Sequence, residues 1–229
     1  MKDIKSLLSK AMENLEIYVP GEQPQDVDQW IKLNTNENAF EPPHEFVQDF
    51  IAQLPNKLRL YPDPQCKQLR KVMAEDYFAK KYGSSPDPNT IVCGVGSDEI
   101  LDIIFKAFVN PGDSIISFSP SYGMYEVLAK TYLADFKLIP MNADFTLPDI
   151  EKVPAEGKIL IICSPNNPTG ISVSNDYIIK ICEKFQGLVI VDEAYADFSL
   201  NSAMPLISQF NNLIVLRTVS KSFSLASIR

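Results

Sequence analysis

Five short clusters of polar and glycine residues, from residue 94 onward, have the residue types and spacing to do chemistry. In chain order they are GVGSDE (94–99), SPSYGMY (119–125), SPNNPTG (164–170), DEAY (192–195) and TVSK (218–221). Each follows a short apolar run that is typical of a buried strand. Ligands of open α/β sheets bind beyond the carboxyl ends of the strands. The sequence therefore predicts that the five clusters meet at one site.

The last cluster contains a candidate nucleophile, Lys221. A lone lysine is usually a solvated surface residue, but this one follows a buried strand and is framed by Thr218, Ser220 and Ser222. A lysine in such a place can form a Schiff base with an aldehyde. Arg229, eight residues later, can pair with a phosphate bidentately.

The acidic pair that opens DEAY has two interpretations. Carboxylates after an apolar strand can hold Mg²⁺ beside a nucleotide, but that requires a glycine-rich loop ending in Gly-Lys-Ser/Thr, and the chain has none. Asp192 has another use, because a carboxylate facing a pyridine nitrogen keeps that nitrogen protonated and makes the ring an electron sink. Tyr195 would then donate a hydrogen bond to a phenolic oxygen of the same ring.

The other three clusters each have a structural and a ligand-binding interpretation. Ser97 and Asp98 open a predicted helix, 99–108, where they either cap the helix or present backbone N–H groups to a phosphate. The first cluster lacks the third glycine of a dinucleotide fingerprint. Tyr122 either packs in its loop or stacks on a flat ring. Asn167 lies in a proline turn, or it donates to a ligand oxygen.

A mostly parallel α/β sheet with helices on both faces is predicted to position these clusters. Nearly continuous apolar runs, typical of strands covered on both sides, predict strands at 90–94, 114–118, 135–139, 158–163, 187–192 and 213–217. The first 60 residues are polar and proline-rich. They predict an N-terminal amphipathic helix, an extended arm around Ile31–Leu33 and a helix near Pro43–Leu54, and a further helix is predicted near Gln65–Tyr82.

Bulk composition limits the classes of partner. The net charge of −8 argues against nucleic acid or an anionic membrane as the main partner, since both need a basic surface. No apolar run approaches the 18 or so residues of a membrane span, and the N-terminus does not resemble a signal peptide. The four cysteines are widely spaced, without a C-x-x-C pair. We expect buried thiols in a reducing cytoplasm, and no metal site.

SPNNPTG, VDEAY and SK-x-F-x-L-x-x-x-R, in this order, resemble the fold-type-I pyridoxal-phosphate aminotransferases. Within these, the chain is most similar to the histidinol-phosphate aminotransferase group. That closer resemblance lies in IYVPG (17–21), KLNTNENAF (32–40), RLYPDP (59–64), GSDEIL (96–101) and PSYGMYE (120–126). It extends from about residue 15 to the end of the chain.

The resemblance implies a pyridoxal 5′-phosphate site and a role for each matching residue. Lys221 would hold the cofactor as a Schiff base, Asp192 would pair with the pyridinium nitrogen, and Tyr195 would assist. The residues implied to contact the cofactor are Ser97, Asp98, Tyr122, Asn167, Asp192, Tyr195, Thr218, Ser220, Lys221 and Arg229. Tyr61 would reach the phosphate in a neighbouring subunit, which implies a homodimer. Tyr18 and Asn36 match positions near the substrate.

The implied reaction is amino transfer between histidinol phosphate and 2-oxoglutarate. Ile17, Ala39 and Glu41 depart from the family pattern, which usually has proline, proline and glycine there, and this bears on the substrate more than on the chemistry. One alternative is the same chemistry on an aromatic amino acid, or the decarboxylation of a phosphorylated amino acid such as threonine phosphate. Another is a non-catalytic module that keeps the fold.

The resemblance also implies two parts of the chain: an N-terminal helix and arm, residues 1–42, and a cofactor-binding large domain, residues 43–229. We expect that domain to be incomplete at its C-terminal end and the family's C-terminal small domain to be absent from this sequence. The family has an antiparallel strand between those matching 90–94 and 213–217. We therefore expect residues 1–229 alone to aggregate or to bind no cofactor.

Overall fold

The computed structural model describes residues 4–13, 15, 21–24, 26, 29–83 and 85–228. Two predicted site residues, Tyr18 and Arg229, lie outside the described residues. The fold and the site are those of the described residues.

A five-stranded parallel sheet forms the centre of the molecule. Its strands are β1 (Ser114–Ser119), β2 (Asp135–Pro140), β3 (Ile159–Cys163), β4 (Leu188–Asp192) and β5 (Leu213–Leu216). The spatial order is β2-β1-β3-β4-β5, and every neighbouring pair is parallel. All five residues of β3 are buried, as expected of an apolar strand covered on both faces. The predicted parallel α/β sheet is confirmed, with strand ends within one residue of those predicted.

Helices precede and connect the strands. In chain order they are α1 (Lys10–Glu13), α2 (His44–Lys57), α3 (Lys67–Val72), a π-helical segment (Met73–Phe78), α4 (Ala79–Tyr82), α5 (Gly96–Phe108), α6 (Met124–Thr131) and α7 (Asn175–Lys184). Short 3-10 turns lie at Ile4–Leu7, Pro88–Thr90, Ile150–Lys152, Ala196–Phe198 and Met204–Leu206. The predicted helices near 43–54 and 65–82 are confirmed. The predicted N-terminal helix is instead a 3-10 turn followed by the short α1.

Two apolar cores cover the two faces of the sheet. On one face, α7 packs Ile178 and Ile181 against strand residues such as Leu160 and Val189. On the other face, α5 and α6 pack against β1, β3 and β4, and Phe105 is fully buried there. Burying one such side chain stabilises the fold by about 1.5–3 kcal/mol. The sheet is therefore a rigid base for the loops at its carboxyl edge.

The prediction of a strand at 90–94 is wrong for the described structure. A strand exists only where a neighbour supplies ladder hydrogen bonds, and no described strand pairs with residues 91–94. A groove of about 220 Å³ lies between this segment and β5, and apolar side chains such as Leu69, Ile91, Val215 and Phe223 line it. Within the described residues, no helix is both long enough and apolar enough to cross a lipid bilayer.

Candidate active site

A cavity of about 330 Å³ opens at the carboxyl edge of the sheet. The loops that follow four strands contribute side chains to it: Tyr122 after β1, Asn167 after β3, Asp192 at the end of β4 and Lys221 after β5. The start of α5 closes one side. Residues of all five polar clusters line this one cavity, so the expectation that the clusters meet at one edge of the sheet is confirmed for their positions.

Ten of the predicted site residues line this cavity, one described residue does not, and two lie outside the described part of the chain. Those that line it are Asn36, Ser97, Asp98, Tyr122, Asn167, Asp192, Tyr195, Thr218, Ser220 and Lys221. Tyr61 lies outside the cavity and is fully exposed to solvent. Tyr18 and Arg229 fall outside the described residues. Gly21, Asn34, Thr35, Val95, Gly96, Cys163 and Ala194 complete the lining.

The N-terminal arm holds the segment that carries Lys221. The Nζ atom of Lys221 donates to the backbone carbonyl of Thr35 at 3.1 Å, and it lies 5.8 Å from the centroid of the Tyr195 ring. The amide of Asn38 donates to the backbone carbonyls of Lys221 and Ser222, at 3.1 and 3.4 Å. Sequence reasoning missed Thr35 and Asn38, because these contacts depend on how the chain folds back over the sheet.

Asp192 is the most deeply buried acid of the cavity, with 2% of its surface exposed. Its Oδ2 accepts from the hydroxyl of Tyr125 at 2.8 Å, and its Oδ1 accepts from the backbone N–H of Ala194 at 3.1 Å. Burial raises the pKa of Asp192 above its usual value, although the hydrogen bonds from Tyr125 and Ala194 oppose this rise. The described groups that donate to it, a phenol and a backbone amide, are both neutral and do not cancel the negative charge of the carboxylate. A cation placed in the cavity would therefore be stabilised there.

Tyr195 and Asn36 are joined directly across the cavity. The amide of Asn36 donates to the hydroxyl oxygen of Tyr195 at 3.0 Å. A phenol has one proton to donate, and accepting from Asn36 leaves that proton for another acceptor. Burial raises the pKa of Tyr195, so the phenol is neutral and a donor at neutral pH. Asn36 has a φ of 53°, in the left-handed region that asparagine tolerates better than most residues.

The start of α5 presents backbone N–H groups to the cavity. Gly96 begins the helix with a φ of 80°, which a residue with a side chain rarely adopts. Ser97 and Asp98 lie inside the first turn, and the N-cap is Val95, so the interpretation of these two as caps is wrong. The Glu99 carboxylate accepts from the Val95 N–H instead. The free N–H groups of a 13-residue helix favour an anion at this end.

Two further pairs shape the rim of the cavity. The hydroxyl of Tyr122 lies 3.2 and 3.3 Å from the two carboxylate oxygens of Asp98, which connects the loop after β1 to α5. The hydroxyl of Thr218 donates to that of Ser220 at 2.9 Å and accepts from the Ser220 N–H at 3.1 Å. The two hydrogen bonds between Thr218 and Ser220 form a compact turn just before Lys221.

Asn166, which sequence reasoning did not single out, ties two site loops together. Its side chain is buried. The amide donates to the Pro120 carbonyl at 3.0 Å and to the Thr169 hydroxyl at 2.9 Å, and its Oδ1 accepts from Ser121 at 2.9 Å. The loop that carries Asn167 is thereby fixed to the loop that carries Tyr122. The sequence SPNNPTG does not indicate which of its two adjacent asparagines has a structural role and which one faces the cavity.

A buried ionic network lies beneath the segment that carries Lys221. The guanidinium of Arg217 donates to Glu193 at 3.0 Å, to Asp197 at 2.6 Å and to Tyr77 at 2.8 Å. Asp197 also accepts from Ser222, the residue after Lys221. Burial alone would raise the pKa of Asp197, but its hydrogen bonds and the charge of Arg217 outweigh burial and hold this pKa well below its usual range.

The chain matches the family of class I and II aminotransferases over residues 28–229. Histidinol-phosphate aminotransferase from Crocosphaera subtropica is 42% identical over 212 residues, which cover 93% of this chain and 58% of that protein. The enzyme of the same name from Clostridium botulinum (strain Langeland) is 40% identical over 222 residues, covering 96% of this chain and 60% of that protein. The chain thus spans about three-fifths of the length of these relatives.

Solved structures are similar at the level of the fold. Alanine aminotransferase from Pyrococcus furiosus superposes with a TM-score of 0.75 at 24% identity, covering 86% of this chain and 54% of that one. A tetra mutant of Thermus thermophilus aspartate aminotransferase superposes with a TM-score of 0.78 at 19% identity, covering 97% of this chain and 61% of that one. Because the family model matches most of the chain, residues 28–229, the chain belongs to the class I and II aminotransferases.

Proposed function

We propose that the protein containing this chain catalyses pyridoxal-phosphate-dependent amino transfer between histidinol phosphate and 2-oxoglutarate, a step of L-histidine biosynthesis. The single observation that carries this proposal is the convergence of Lys221, Asp192, Tyr195, Asn167 and Tyr122 on one cavity. An amine, a buried acid, a phenol, an amide and an aromatic face are the groups that such a cofactor needs.

The residues present fit the cofactor on three grounds. Asp192 is buried, and the donors to its oxygens among the described residues are neutral, so a protonated ring nitrogen would provide a positive partner. Tyr195 keeps a proton for an acceptor in the cavity. The N-terminus of α5, where Ser97 and Asp98 line the cavity, carries the partial positive charge of a helix start and suits a phosphate.

Pyridoxal phosphate, when bound, supplies an aldehyde that condenses with amines and a ring that accepts electrons from a broken C–H bond. In our proposal Lys221 would hold the cofactor through its Nζ atom. When its amine is free, Lys221 would act as the base that moves the proton at the substrate carbon. Asp192 would hold a proton on the ring nitrogen.

The remaining residues bind and orient. Asn167 and Tyr195 would donate to the phenolic oxygen of the ring, and Tyr122 would stack on the ring. The backbone amides of Ser97 and Asp98, with Ser220 and Arg229, would hold the phosphate. Thr218 would also contact the cofactor. In our proposal Tyr61 reaches the phosphate in the partner subunit of a homodimer, which its full exposure in this chain permits.

The arm belongs to the substrate side of the site. Asn36 lines the cavity, and we propose that it contacts the substrate together with Tyr18. Residues 1–42 then act as this arm, and residues 43–229 act as the cofactor-binding domain. The four cysteines are all free thiols, which suits an enzyme of the cytoplasm.

An amine-donor panel on the full-length protein tests this proposal. After loading with pyridoxal phosphate, histidinol phosphate and aromatic amino acids are each mixed with 2-oxoglutarate, and glutamate formation is followed. Release of CO₂ from threonine phosphate is measured in parallel. We expect the highest kcat/KM with histidinol phosphate.

Two other outcomes would each favour an alternative. Preference for an aromatic amino acid, or CO₂ release from threonine phosphate, would keep the chemistry and replace the substrate. Absence of a cofactor absorbance band in a folded, full-length protein would favour the non-catalytic module.

A further inference from the structure

Tyr125 is a fully buried tyrosine that has no role in the proposed chemistry so far. It lies in α6, which begins just after the loop that carries Tyr122, and 0% of its surface is exposed. Its hydroxyl donates to Oδ2 of Asp192 at 2.8 Å. Its ring meets the Tyr122 ring edge to face, with centroids 5.6 Å apart and an interplanar angle of 89°. One side chain therefore contacts both the acid and the aromatic face of the cavity.

We propose that Tyr125 is a positioning residue that keeps Asp192 ionised and its carboxylate aimed into the cavity. This inference rests on the proposed function, because it assigns to Tyr125 the control of the proton that Asp192 shares with the cofactor's ring nitrogen. The phenol acts through Asp192 and does not touch the reacting atoms.

The groups that face Asp192 come from four elements and act in opposite directions. Burial and the nearby carboxylate of Asp98 in α5 both raise the pKa of Asp192. The hydroxyl of Tyr125 in α6 and the N–H of Ala194 after β4 lower this pKa, because each donates to the charged form.

Two further groups near Asp192 are neutral. Burial and the nearby Asp192 raise the pKa of the Cys163 thiol in β3 to about 12. Burial raises the pKa of the Tyr195 phenol after β4. Both groups stay protonated at neutral pH, so neither adds a positive charge beside Asp192. Among these neighbours, Tyr125 is the side chain that directly stabilises the carboxylate by a hydrogen bond.

The position of the shared proton follows from this balance. A carboxylate that already accepts from a phenol is a weaker base, so the proton stays on the ring nitrogen. Without the Tyr125 hydroxyl the buried carboxylate becomes more basic and draws the proton onto Oδ2. The neutral pair that results withdraws electrons from the ring less strongly, and proton abstraction by Lys221 becomes slower.

The test measures the protonation of the ring nitrogen directly. The full-length protein is loaded with ¹⁵N-labelled pyridoxal phosphate, and the ¹⁵N chemical shift is recorded across pH for the parent and for Tyr125→Phe. Asp192→Asn gives the reference for an unprotonated nitrogen. Tyr132→Phe is the matched control, since Tyr132 donates to Asp102 at 2.9 Å outside the cavity.

We expect the signal of Tyr125→Phe to lie between those of the parent and Asp192→Asn, and Tyr132→Phe to match the parent. Loss of a hydrogen bond to a charged group predicts amino transfer about 10- to 100-fold slower in Tyr125→Phe. A second variant places 3-fluorotyrosine at position 125 alone. This stronger donor should shift the signal further toward the protonated form.

Three results separate the possible failures. A parent-like ¹⁵N shift in folded Tyr125→Phe would overturn the inference, even if the variant is slow. If Tyr125→Phe does not fold, an unchanged or reversed shift with 3-fluorotyrosine would overturn it as well. A parent protein that binds no labelled cofactor would instead contradict the proposed function.

Discussion

The Nζ atom of Lys221 lies 3.1 Å from the backbone carbonyl oxygen of Thr35, a residue 186 positions earlier in the chain. The same arm places Asn36 on Tyr195 and Asn38 on the backbone of Lys221 and Ser222. The amine of Lys221 is therefore held inside the cavity by a segment that belongs to neither the sheet nor its helices.

The first prediction concerns the attachment of the cofactor. Borohydride treatment of the full-length, cofactor-loaded protein should fix pyridoxal phosphate to the peptide that contains Lys221, because this amine lies in the cavity. Peptide mass spectrometry identifies the labelled residue. The Lys32 amine, which is paired with Glu37 in the arm, serves as an internal control that should stay unlabelled. Labelling at another lysine would contradict the assignment.

The second prediction concerns the buried acid. Asp192→Asn should leave the cofactor bound but lower the rate of amino transfer by several orders of magnitude, because the ring nitrogen loses its negative partner. Absorbance measures binding, and single-turnover kinetics measure the rate. Asp102→Asn, which changes an acid outside the cavity, should retain near-parent rates. If Asp192→Asn is nearly as active as the parent, the carboxylate has another role and metal binding should be tested.

The third prediction concerns Tyr61 and the homodimer. Tyr61→Phe and Lys221→Ala proteins should each be impaired, and a mixture that exchanges subunits should recover part of the activity. In the hybrid, one of the two sites has both residues intact. Exchange is followed with affinity-tagged subunits, and Lys221→Ala mixed with itself is the control. Proven exchange without recovery would mean that Tyr61 acts within its own chain or not at all.

The fourth prediction concerns Asp197, whose pKa is held well below its usual range. An acid with a lowered folded-state pKa contributes stability above its unfolded pKa of about 3.9, and this contribution disappears as pH falls toward the folded value. Asp197→Asn should therefore lower the free energy of unfolding by roughly 2–4 kcal/mol at pH 7. At pH 3 the difference from the parent should be smaller.

Denaturant titration of the full-length protein at both pH values measures this effect. Asp76→Asn is the matched control, since its pair with Lys80 is exposed and the change should stay within about 0.5 kcal/mol. A destabilisation that is equal at pH 7 and pH 3 would show that charge on Asp197 is not the cause.

The sequence predicted the sheet and the meeting of its loops because both follow local rules. Apolar runs mark buried strands, and parallel strands deliver their carboxyl ends to one edge. The strand at 90–94 was predicted wrongly, because pairing depends on a neighbour and not on the run itself. At α5 the sequence left two interpretations of Ser97 and Asp98 open, and the structure removes the one in which they cap the helix, since the N-cap is Val95 and its N–H donates to Glu99.

The supporting residues of the site could not be predicted, because their partners are distant in sequence. Tyr125 is 67 residues from Asp192, and Asn38 is 183 residues from Lys221. Arg217 was visible only as the end of an apolar strand, although it binds two acids and two tyrosines. Spacing reveals residues that share a loop, whereas contacts across the fold require the structure.

The long separation between Thr35 and Lys221 has a consequence for the order of folding. Contacts between residues far apart in sequence form late, because the intervening chain must first lose the entropy of a large loop. The sheet is built from nearer partners: β3 and β4 start 29 residues apart. Kinetically, the arm should close over a sheet that is already formed. The backbone N–H of Phe40, which donates to Oδ1 of Asn38 at 3.0 Å, should therefore gain protection from hydrogen exchange after the amides of β3 and β4.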